Sequence, residues 1–334
     1  MPAATKTYPR VVAYGEALID RVVDPDASVT HVVGGSPLNV LVALARQGYD
    51  TAIVTPISID DFGDMIRNHL EESRVDLSLA IHTHKPTTLA DTRIIDGEPD
   101  YEFLIDGHSQ GVWLKDHIRD KAVGNDLVVI SGSFALSREP MASVFDDLVT
   151  QDDAEDRTLI FDPNIRPSVI GDDPHDIQAA KDRFDKWARS ATIVKASKVD
   201  ILWRYPDLSI DEAAALLIHQ GVKMVTITDG ENGAYAFTKK GSAFRPGVAL
   251  TEQELEEGNT IGAGDTYNAG TIIWLLENEK TSKTAIESLT SDELGALIDS
   301  GQALATEVCK LVGADPPWKA GLNPVRTTGA LLEW

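Results

Sequence analysis

Short apolar runs alternate with longer amphipathic segments along most of the chain. The short runs are rich in Val, Ile and Thr, whereas the longer segments repeat apolar residues at helical spacing. This alternation predicts an α/β fold in which helices cover a mostly parallel sheet. The predicted strands are residues 10–14, 51–55, 126–131, 158–162, 192–195 and 224–228. The predicted helices are residues 37–47, 61–73, 138–150, 174–189, 210–220, 263–277 and 291–311.

Two segments break this alternation, because they resemble strands with no helix between them. They are residues 28–33 and 87–105, and the second contains a hairpin-type turn at Asp96 and Gly97. The N-terminal third is therefore predicted to contribute a small separate sheet. The acidic stretches 151–156 and 171–176 are expected to be solvated loops or helix caps, and the tail after Trp318 is expected to be loosely structured.

Composition narrows the class of protein. The 334 residues carry 53 Asp and Glu against 30 Lys and Arg, which gives a formal net charge of −23. This acidity argues against nucleic-acid and anionic-membrane partners, because both attract basic surfaces. The single cysteine, Cys309, excludes an intrachain disulfide and a Cys-rich zinc site, and it is expected to be buried in packing. With no apolar leader at the N-terminus and no long apolar run, a cytoplasmic protein is expected.

The most informative motif is NTIGAGDTYNAG, which begins at Asn259. Three small residues, Gly262, Ala263 and Gly264, precede Asp265 and a long predicted helix. Small residues let a ligand approach the backbone, and a helix start offers free N–H groups and a positive dipole end, so this motif predicts a phosphate site. An aspartate in a first turn is also typical of a plain helix cap. The motif is neither a dinucleotide fingerprint nor a P-loop.

Two further motifs have a functional and a structural interpretation. GGSPLNV places Gly34 and Gly35 before a helix whose first turns contain Asn39, which suits either ligand contact or an ordinary strand-to-helix turn. FDPNIRP follows a predicted strand, and ligands of open α/β sheets bind at the carboxyl ends of strands. Arg166 in this motif could meet a phosphate or pair with Asp162.

A fourth motif, TITDGENG at residues 226–233, ends a strand in a glycine turn, as a plain hairpin also does. Together the four motifs resemble the ribokinase-like (PfkB-type) carbohydrate kinases, and GEALID, PTTLA, KASKVD and GADPP match in the same order along nearly the whole chain. DPN-x-R and the terminal GA-x-PP are most similar to bacterial fructokinases. The resemblance implies one domain over residues 1–334, folded as a three-layer αβα sandwich. A β-sheet lid would be formed by about residues 20–34 and 84–110.

The resemblance implies transfer of the γ-phosphoryl group of ATP, with Mg²⁺, to a sugar hydroxyl, with the 6-hydroxyl of fructose as the expected acceptor. Asp265 matches the general base, and Gly262, Ala263 and Gly264 match the anion hole. Arg166 matches a residue near the transferred phosphate or the sugar. The matching sugar-binding residues are Asp20, Gly34, Gly35, Asn39, Phe103 and Asp265. The matching nucleotide-binding residues are Lys195, Ser197, Thr228, Gly230, Gly233, Gly262 and Gly264.

Three departures from the family pattern bear on these expectations. Ser197 and Asp200 replace an N-x-x-E element that binds Mg²⁺ through water, so Asp200 is the expected metal-associated residue. Asn259 stands where many members have an Asp that helps bind an activating monovalent cation, which argues against K⁺ dependence. Ile105 stands where an Arg is common, so it cannot pair with a substrate carboxylate. The lid often forms a dimer interface in the family, which allows a homodimer here.

Other functions remain open at this point. Within the enzymes, the alternatives are a ribokinase, a 2-keto-3-deoxygluconate kinase, another hexokinase-like specificity and a nucleoside kinase. A non-catalytic sugar-binding or scaffold relative is the alternative from another class. The intact GAGD favours an enzyme, because a relative without activity would be free to lose Asp265.

Overall fold

The computed structural model describes residues 7–23, 28–95, 98–118, 121–122, 126–150, 157–311 and 313–325. The predicted turn at Asp96 and Gly97 and the acidic stretch 151–156 lie outside these described residues.

Among the described residues, eight strands form the main sheet. Six neighbouring strands, which extend from the middle of the sheet to one of its edges, run parallel. All six predicted strands are present, each within about one or two residues of its expected bounds. The last two strands of the sheet run antiparallel at the other edge. In spatial order the strands are β14 (Ser242–Arg245), β13 (Ala234–Phe237), β12 (Met224–Thr228), β11 (Ile193–Ser197), β10 (Thr158–Asp162), β9 (Leu127–Ser131), β1 (Val11–Tyr14) and β4 (Thr51–Val54).

A second sheet has four strands, three of which come from the segments that broke the alternation. Its order is β3 (Val29–Gly34), β2 (Leu18–Val23), β7 (Leu89–Ile95) and β8 (Glu98–Leu104). The β2 strand was not predicted. Arg21 on β2 lies opposite Asp91 on β7 and forms an ion pair with it, so a charged pair joins the two central strands. Two short strands, β5 (Pro56–Ser58) and β6 (Ile81–Thr83), form a separate parallel pair.

The predicted helices are all present, although the segment 138–150 differs from expectation. A short helix ends before Pro140 and a second helix begins after it. Inside a helix, proline would lack the N–H for one backbone hydrogen bond and its ring would clash with the preceding turn. Several strands are followed by short helices that were not predicted. The helices are α1 (Ser36–Arg46), α2 (Asp61–Glu72), α3 (Ser133–Ser137), α4 (Met141–Thr150), α5 (Pro167–Ile170), α6 (Pro174–Ser190), α7 (Lys198–Arg204), α8 (Ile210–His219), α9 (Glu252–Glu257), α10 (Ala263–Glu277), α11 (Lys283–Glu287) and α12 (Ser291–Cys309).

Alternating side chains of the main sheet enter two separate cores. Val12 of β1 and Phe161 of β10 face a core built with α4, α6 and α8. Val11 and Ile160, one position earlier on the same strands, face a core built with α1, α10 and α12. This period of two makes the sheet the middle layer and confirms the predicted three-layer αβα sandwich. None of the helices in the described part of the chain has the length and apolarity needed to cross a membrane.

The carboxyl ends of the parallel strands meet at one edge of the main sheet. Glu16 follows β1, Ser131 ends β9, Asp162 ends β10 and Ser197 ends β11. In open α/β sheets this edge is where ligands bind. A ligand site is therefore expected at the polar residues that end or follow these strands.

Candidate active site

The start of α10 presents unpaired N–H groups. Gly262 adopts a left-handed conformation with φ 75°, and a Cβ there would lie 2.5 Å from Ala314 Cβ, so only glycine fits. The Ala263 N–H donates to Thr260 O at 3.2 Å. Among the described residues, no acceptor is bonded to the N–H groups of Gly264 and Asp265. These groups and the dipole of a 15-residue helix form a cradle for an anion, as the motif predicts.

Asp265 lies in the first turn of α10, and two donors from α1 hold its carboxylate. Ser36 Oγ donates to Oδ1 at 2.6 Å, and Asn39 Nδ2 donates to Oδ2 at 2.9 Å. Residues three apart share one face of a helix, so Ser36 and Asn39 reach Asp265 together. Asp265 is buried, with 8% of its surface exposed. Sequence reasoning identified Asn39 but missed Ser36.

Glu16, which follows Gly15 in the GEALID motif, has a buried carboxyl group close to Ser36 and Asp265. It is 5% exposed, and the Ser36 N–H donates to its Oε1 at 3.3 Å. Oε2 has no partner among the described residues. A Cβ on Gly132 would lie 2.3 Å from Oε2, so the carboxyl rests directly on the Gly132 backbone. Burial raises the pKa of Glu16 to about 7; the negative charge of Asp265 adds to the rise and Arg166 opposes it.

The predicted sugar-binding residues of the N-terminal third converge here. A Cβ on Gly34 would lie 2.2 Å from Asp20 Oδ2, and one on Gly35 would lie 2.4 Å from Glu16 O, so both positions need glycine. Burial raises the pKa of Asp20 to about 6, and the positive charge of Arg166 opposes the rise. The Arg166 side chain is exposed and donates to Ile165 O at 3.1 Å.

One residue of the second sheet and one residue just after it border on the apolar core. Phe103 on β8 packs edge-on against Phe134, with the ring centroids 5.2 Å apart. Ile105 is 5% exposed and belongs to the core, so this position brings no charge toward the site.

A buried ion pair lies beneath the start of α10. Lys195 Nζ donates to Asp162 Oδ2 at 2.8 Å, and the side chains are 6% and 0% exposed. A Cβ on Gly264 would lie 3.2 Å from Lys195 Nζ, which places the ammonium against the first turn of the helix. Burial alone would lower the pKa of Lys195, but the carboxylates of Asp162, Asp265 and Asp200 raise it. Asp162 therefore pairs with Lys195 and not with Arg166, the partner considered from the sequence.

Ser197 and Asp200 form the N-terminal cap of α7. Asp200 Oδ2 accepts from the N–H and the hydroxyl of Ser197, each at 2.7 Å, and Oδ1 accepts from the Ile165 N–H at 2.8 Å. The carboxylate thus joins α7 to the FDPNIRP segment, and with three donors on its oxygens it suits a metal ion only through water. Asn259 uses Oδ1 to accept from the Ile261 N–H at 2.9 Å, within its own loop.

A cleft of about 670 Å³ opens beside the start of α10, on the side of the last strands. Thr228, Gly230, Gly233 and Gly264, four of the residues predicted to bind nucleotide, line it. The other three, Lys195, Ser197 and Gly262, are not among its lining residues. Cys309, which was expected to be buried, is half-buried and lies in the wall of the cleft. This partial burial raises the pKa of its thiol. Sequence reasoning missed the opposite wall, which consists of Gly247, Val248, Ala249, Leu250, Gln302, Ala305, Thr306 and Cys309.

Comparison with known proteins agrees with this geometry. Residues 9–320 match the family model described as pfkB family carbohydrate kinase. It is 30% identical to a fructokinase of Rhizobium leguminosarum bv. trifolii over 289 residues, which cover 85% of each chain. It is 27% identical to a fructokinase of Salmonella typhimurium over 307 residues, which cover 89% of this chain and 95% of that one.

Solved structures share the fold. A fructokinase from Xylella fastidiosa with bound ATP superposes with a TM-score of 0.79 at 22% identity, covering 91% of this chain and 93% of that one. A fructokinase double mutant from Vibrio cholerae O395, bound to fructose, ADP and potassium, superposes with a TM-score of 0.78 at 20% identity, covering 93% and 95%. The expected ribokinase-like fold is confirmed by these neighbours and by the two sheets.

Proposed function

The chain belongs to the PfkB family of carbohydrate kinases, and we propose that it is a fructokinase that transfers the γ-phosphoryl group of ATP to the 6-hydroxyl of D-fructose. The observation that carries the mechanism is the start of α10, where two N–H groups with no acceptor among the described residues adjoin a carboxylate that two donors hold in place. The choice of fructose is supported by relatives called fructokinases and by a neighbouring structure with bound fructose.

Asp265 is the proposed general base. As the 6-oxygen of the sugar bonds to the γ-phosphorus, the bond from phosphorus to the oxygen of the ADP leaving group breaks and Asp265 takes the hydroxyl proton. The transition state spreads charge over three equatorial oxygens, so catalysis depends on positioning and charge stabilisation. The N–H groups of Gly264 and Asp265 and the left-handed turn at Gly262 with Ala263 supply the anion hole. Arg166 brings the nearby positive charge.

The sugar is proposed to lie on the side of the second sheet, against Asp20, Gly34, Gly35, Asn39 and Phe103. Three carboxyl groups, those of Glu16, Asp20 and Asp265, face this region with Arg166 as the cation that acts on the first two. Such a site favours a neutral sugar over a sugar acid, because a substrate carboxylate would meet like charges. The buried Ile105 supplies no compensating charge. This distinguishes fructose from 2-keto-3-deoxygluconate, the acidic alternative.

The cleft is the proposed ATP site, with Thr228, Gly230, Gly233 and Gly264 in its wall. Its volume of about 670 Å³ suits a ligand of nucleotide size. Lys195 places a positive charge beneath the same helix turn, and Ser197 positions Asp200. Mg²⁺, when bound to the phosphates, would neutralise their charge, and Asp200 would reach it through water. A homodimer through the second sheet stays a prediction, as do closure of that sheet over the sugar and independence from K⁺.

An ADP-release assay tests the specificity. Fructose, ribose, glucose, 2-keto-3-deoxygluconate and adenosine are each supplied with ATP and Mg²⁺, and fructose is expected to give the highest kcat/KM. A higher value with another acceptor would replace fructose by that acceptor. No turnover with any of them would favour a non-catalytic sugar-binding relative.

A variant tests the base. Asp265→Asn keeps the size of the side chain but cannot take a proton, so kcat is expected to fall by about 10³-fold or more while fructose binding changes little. Asp207→Asn, an exposed aspartate in the loop before α8, is the matched control and should leave kcat unchanged. An Asp265→Asn enzyme with near-normal kcat would refute the assigned role.

A further inference from the structure

Two buried serine hydroxyls form a chain that ends on the proposed base. Ser36 Oγ lies 2.6 Å from Asp265 Oδ1 and 2.6 Å from Ser131 Oγ. Ser131 is 0% exposed at the end of β9, and Ser36 is 6% exposed at the start of α1. In the part of the chain that the structure describes, Ser36 is the hydrogen-bond partner of the Ser131 hydroxyl and no other is present. Neither serine belongs to the residues proposed to contact sugar or nucleotide.

The charge on Asp265 determines the direction of both hydrogen bonds. An ionised carboxylate can only accept, so Ser36 gives its one proton to Asp265 and Ser131 must donate to Ser36. If Asp265 carries a proton on Oδ1, that proton can point toward Ser36, and both hydroxyls then reverse. The ionised arrangement is the stronger one, because hydrogen bonds to a charged acceptor are about twice as strong as neutral ones and chained bonds polarise one another.

We propose that Ser36 and Ser131 are positioning residues that act as one unit: Ser131 orients the Ser36 hydroxyl, and Ser36 keeps the Asp265 carboxylate aimed at the sugar hydroxyl. The inference rests on the proposed function, in which Asp265 is the base. The chain has a fixed end, because Ser131 belongs to β9, which is paired on both sides within the main sheet. Asn39 holds the other oxygen, so the two α1 donors together fix the plane of the carboxylate.

Removal of each hydroxyl has a distinct expected effect. Ser36→Ala removes a hydrogen bond to a charged group, which is worth roughly 10- to 100-fold, so kcat falls by about that factor. Ser131→Ala acts in the same direction by a smaller factor of about threefold, which is the effect of losing one neutral hydrogen bond.

A double-mutant cycle tests whether the serines act together. The wild type, Ser36→Ala, Ser131→Ala and the double variant are compared by kcat and kcat/KM for fructose between about pH 5 and pH 9. Because Ser131 acts only through Ser36, Ser131→Ala should have no further effect in the Ser36→Ala background. ATP affinity should be nearly unchanged in all three variants, and each should still unfold cooperatively on heating, which separates this effect from misfolding. Asn39→Ala, in contrast, should also raise KM for fructose.

Two results would overturn the inference while the proposed function stands. One is an equal loss from Ser131→Ala in both backgrounds, and the other is a kcat that Ser36→Ala leaves unchanged. A wild type that turns over no sugar would overturn the proposed function, and this inference with it. The activity of the wild type therefore separates the two failures.

Discussion

Replacing Glu16 by glutamine should make the protein more stable above neutral pH while leaving its stability in acid nearly unchanged. Glu16 is 5% exposed and its Oε2 has no hydrogen-bond partner among the described residues. Glutamine resembles the protonated glutamic acid, since it keeps one oxygen to accept the Ser36 N–H and carries no charge. The substitution therefore removes the ionisation of Glu16 and little else.

The magnitude follows from the raised pKa of Glu16. Burial, with Asp265 adding to it, raises the pKa from 4.5 to about 7. The folded protein thus binds this proton more tightly than the unfolded chain, so the stabilisation is complete below pH 4.5 and is lost as the pH rises through about 7. At ~1.4 kcal/mol per unit of pKa, ionisation of Glu16 lowers the free energy of unfolding of the wild type by about 3 kcal/mol as the pH rises. The Glu16→Gln variant has no such loss.

Urea unfolding of both proteins between about pH 5 and pH 8.5 measures the difference. The free energy of unfolding of Glu16→Gln should exceed that of the wild type by an amount that grows with pH and levels off above neutrality. Asp20 and Asp162 titrate in both proteins, so their contributions cancel. Glu72→Gln, an exposed glutamate on α2, removes the same charge and should give a curve parallel to the wild type. Parallel curves for Glu16→Gln as well would refute the reasoning.

Two further predictions concern the start of α10. Gly262→Ala should cost about 1–3 kcal/mol of stability and lower kcat, because its Cβ would lie 2.5 Å from Ala314 Cβ at φ 75°. Gly107→Ala has a similar φ of 77° with no atom within 4 Å, so it should lose less stability and keep full kcat; equal kcat values in both variants would argue against an anion hole at Gly262. Lys195→Met should cost about 3–5 kcal/mol in urea unfolding, because it leaves the carboxyl group of Asp162, at 0% exposure, without its cation. Adding Asp162→Asn should recover part of that loss, and a double variant as unstable as the single one would contradict an ion pair.

Much of the fold could be predicted because its signals are local. The apolar run Val11–Tyr14, whose side chains alternate between the two cores, stands out in four consecutive residues, and Pro37 and Gly48 likewise mark the two ends of α1. The β2 strand was missed because Asp20 and Arg21 interrupt its apolar pattern. Their environment comes from another strand: Arg21 pairs with Asp91, which lies 70 residues later in the chain.

The site was predictable only where small residues and charges cluster in a motif. Gly262 and Asp265 stand out in the sequence, whereas Ser131 and Glu16 matter through contacts that no local pattern records. Ser36 reaches Asp265 across 229 positions of sequence. The wall of the cleft around Thr306 was missed for the same reason, since α12 meets the loop after β14 only in the folded chain.

The distance in sequence between Ser36 and Asp265 also affects the order in which a working enzyme appears during synthesis. The ribosome adds about 5–20 residues per second, so roughly 10 to 50 seconds separate the emergence of these two residues. Throughout that interval the nascent chain carries Ser36 but neither the proposed base nor the proposed anion hole. Both arrive in one short segment, residues 262–265. A product truncated before this segment is therefore expected to lack kinase activity.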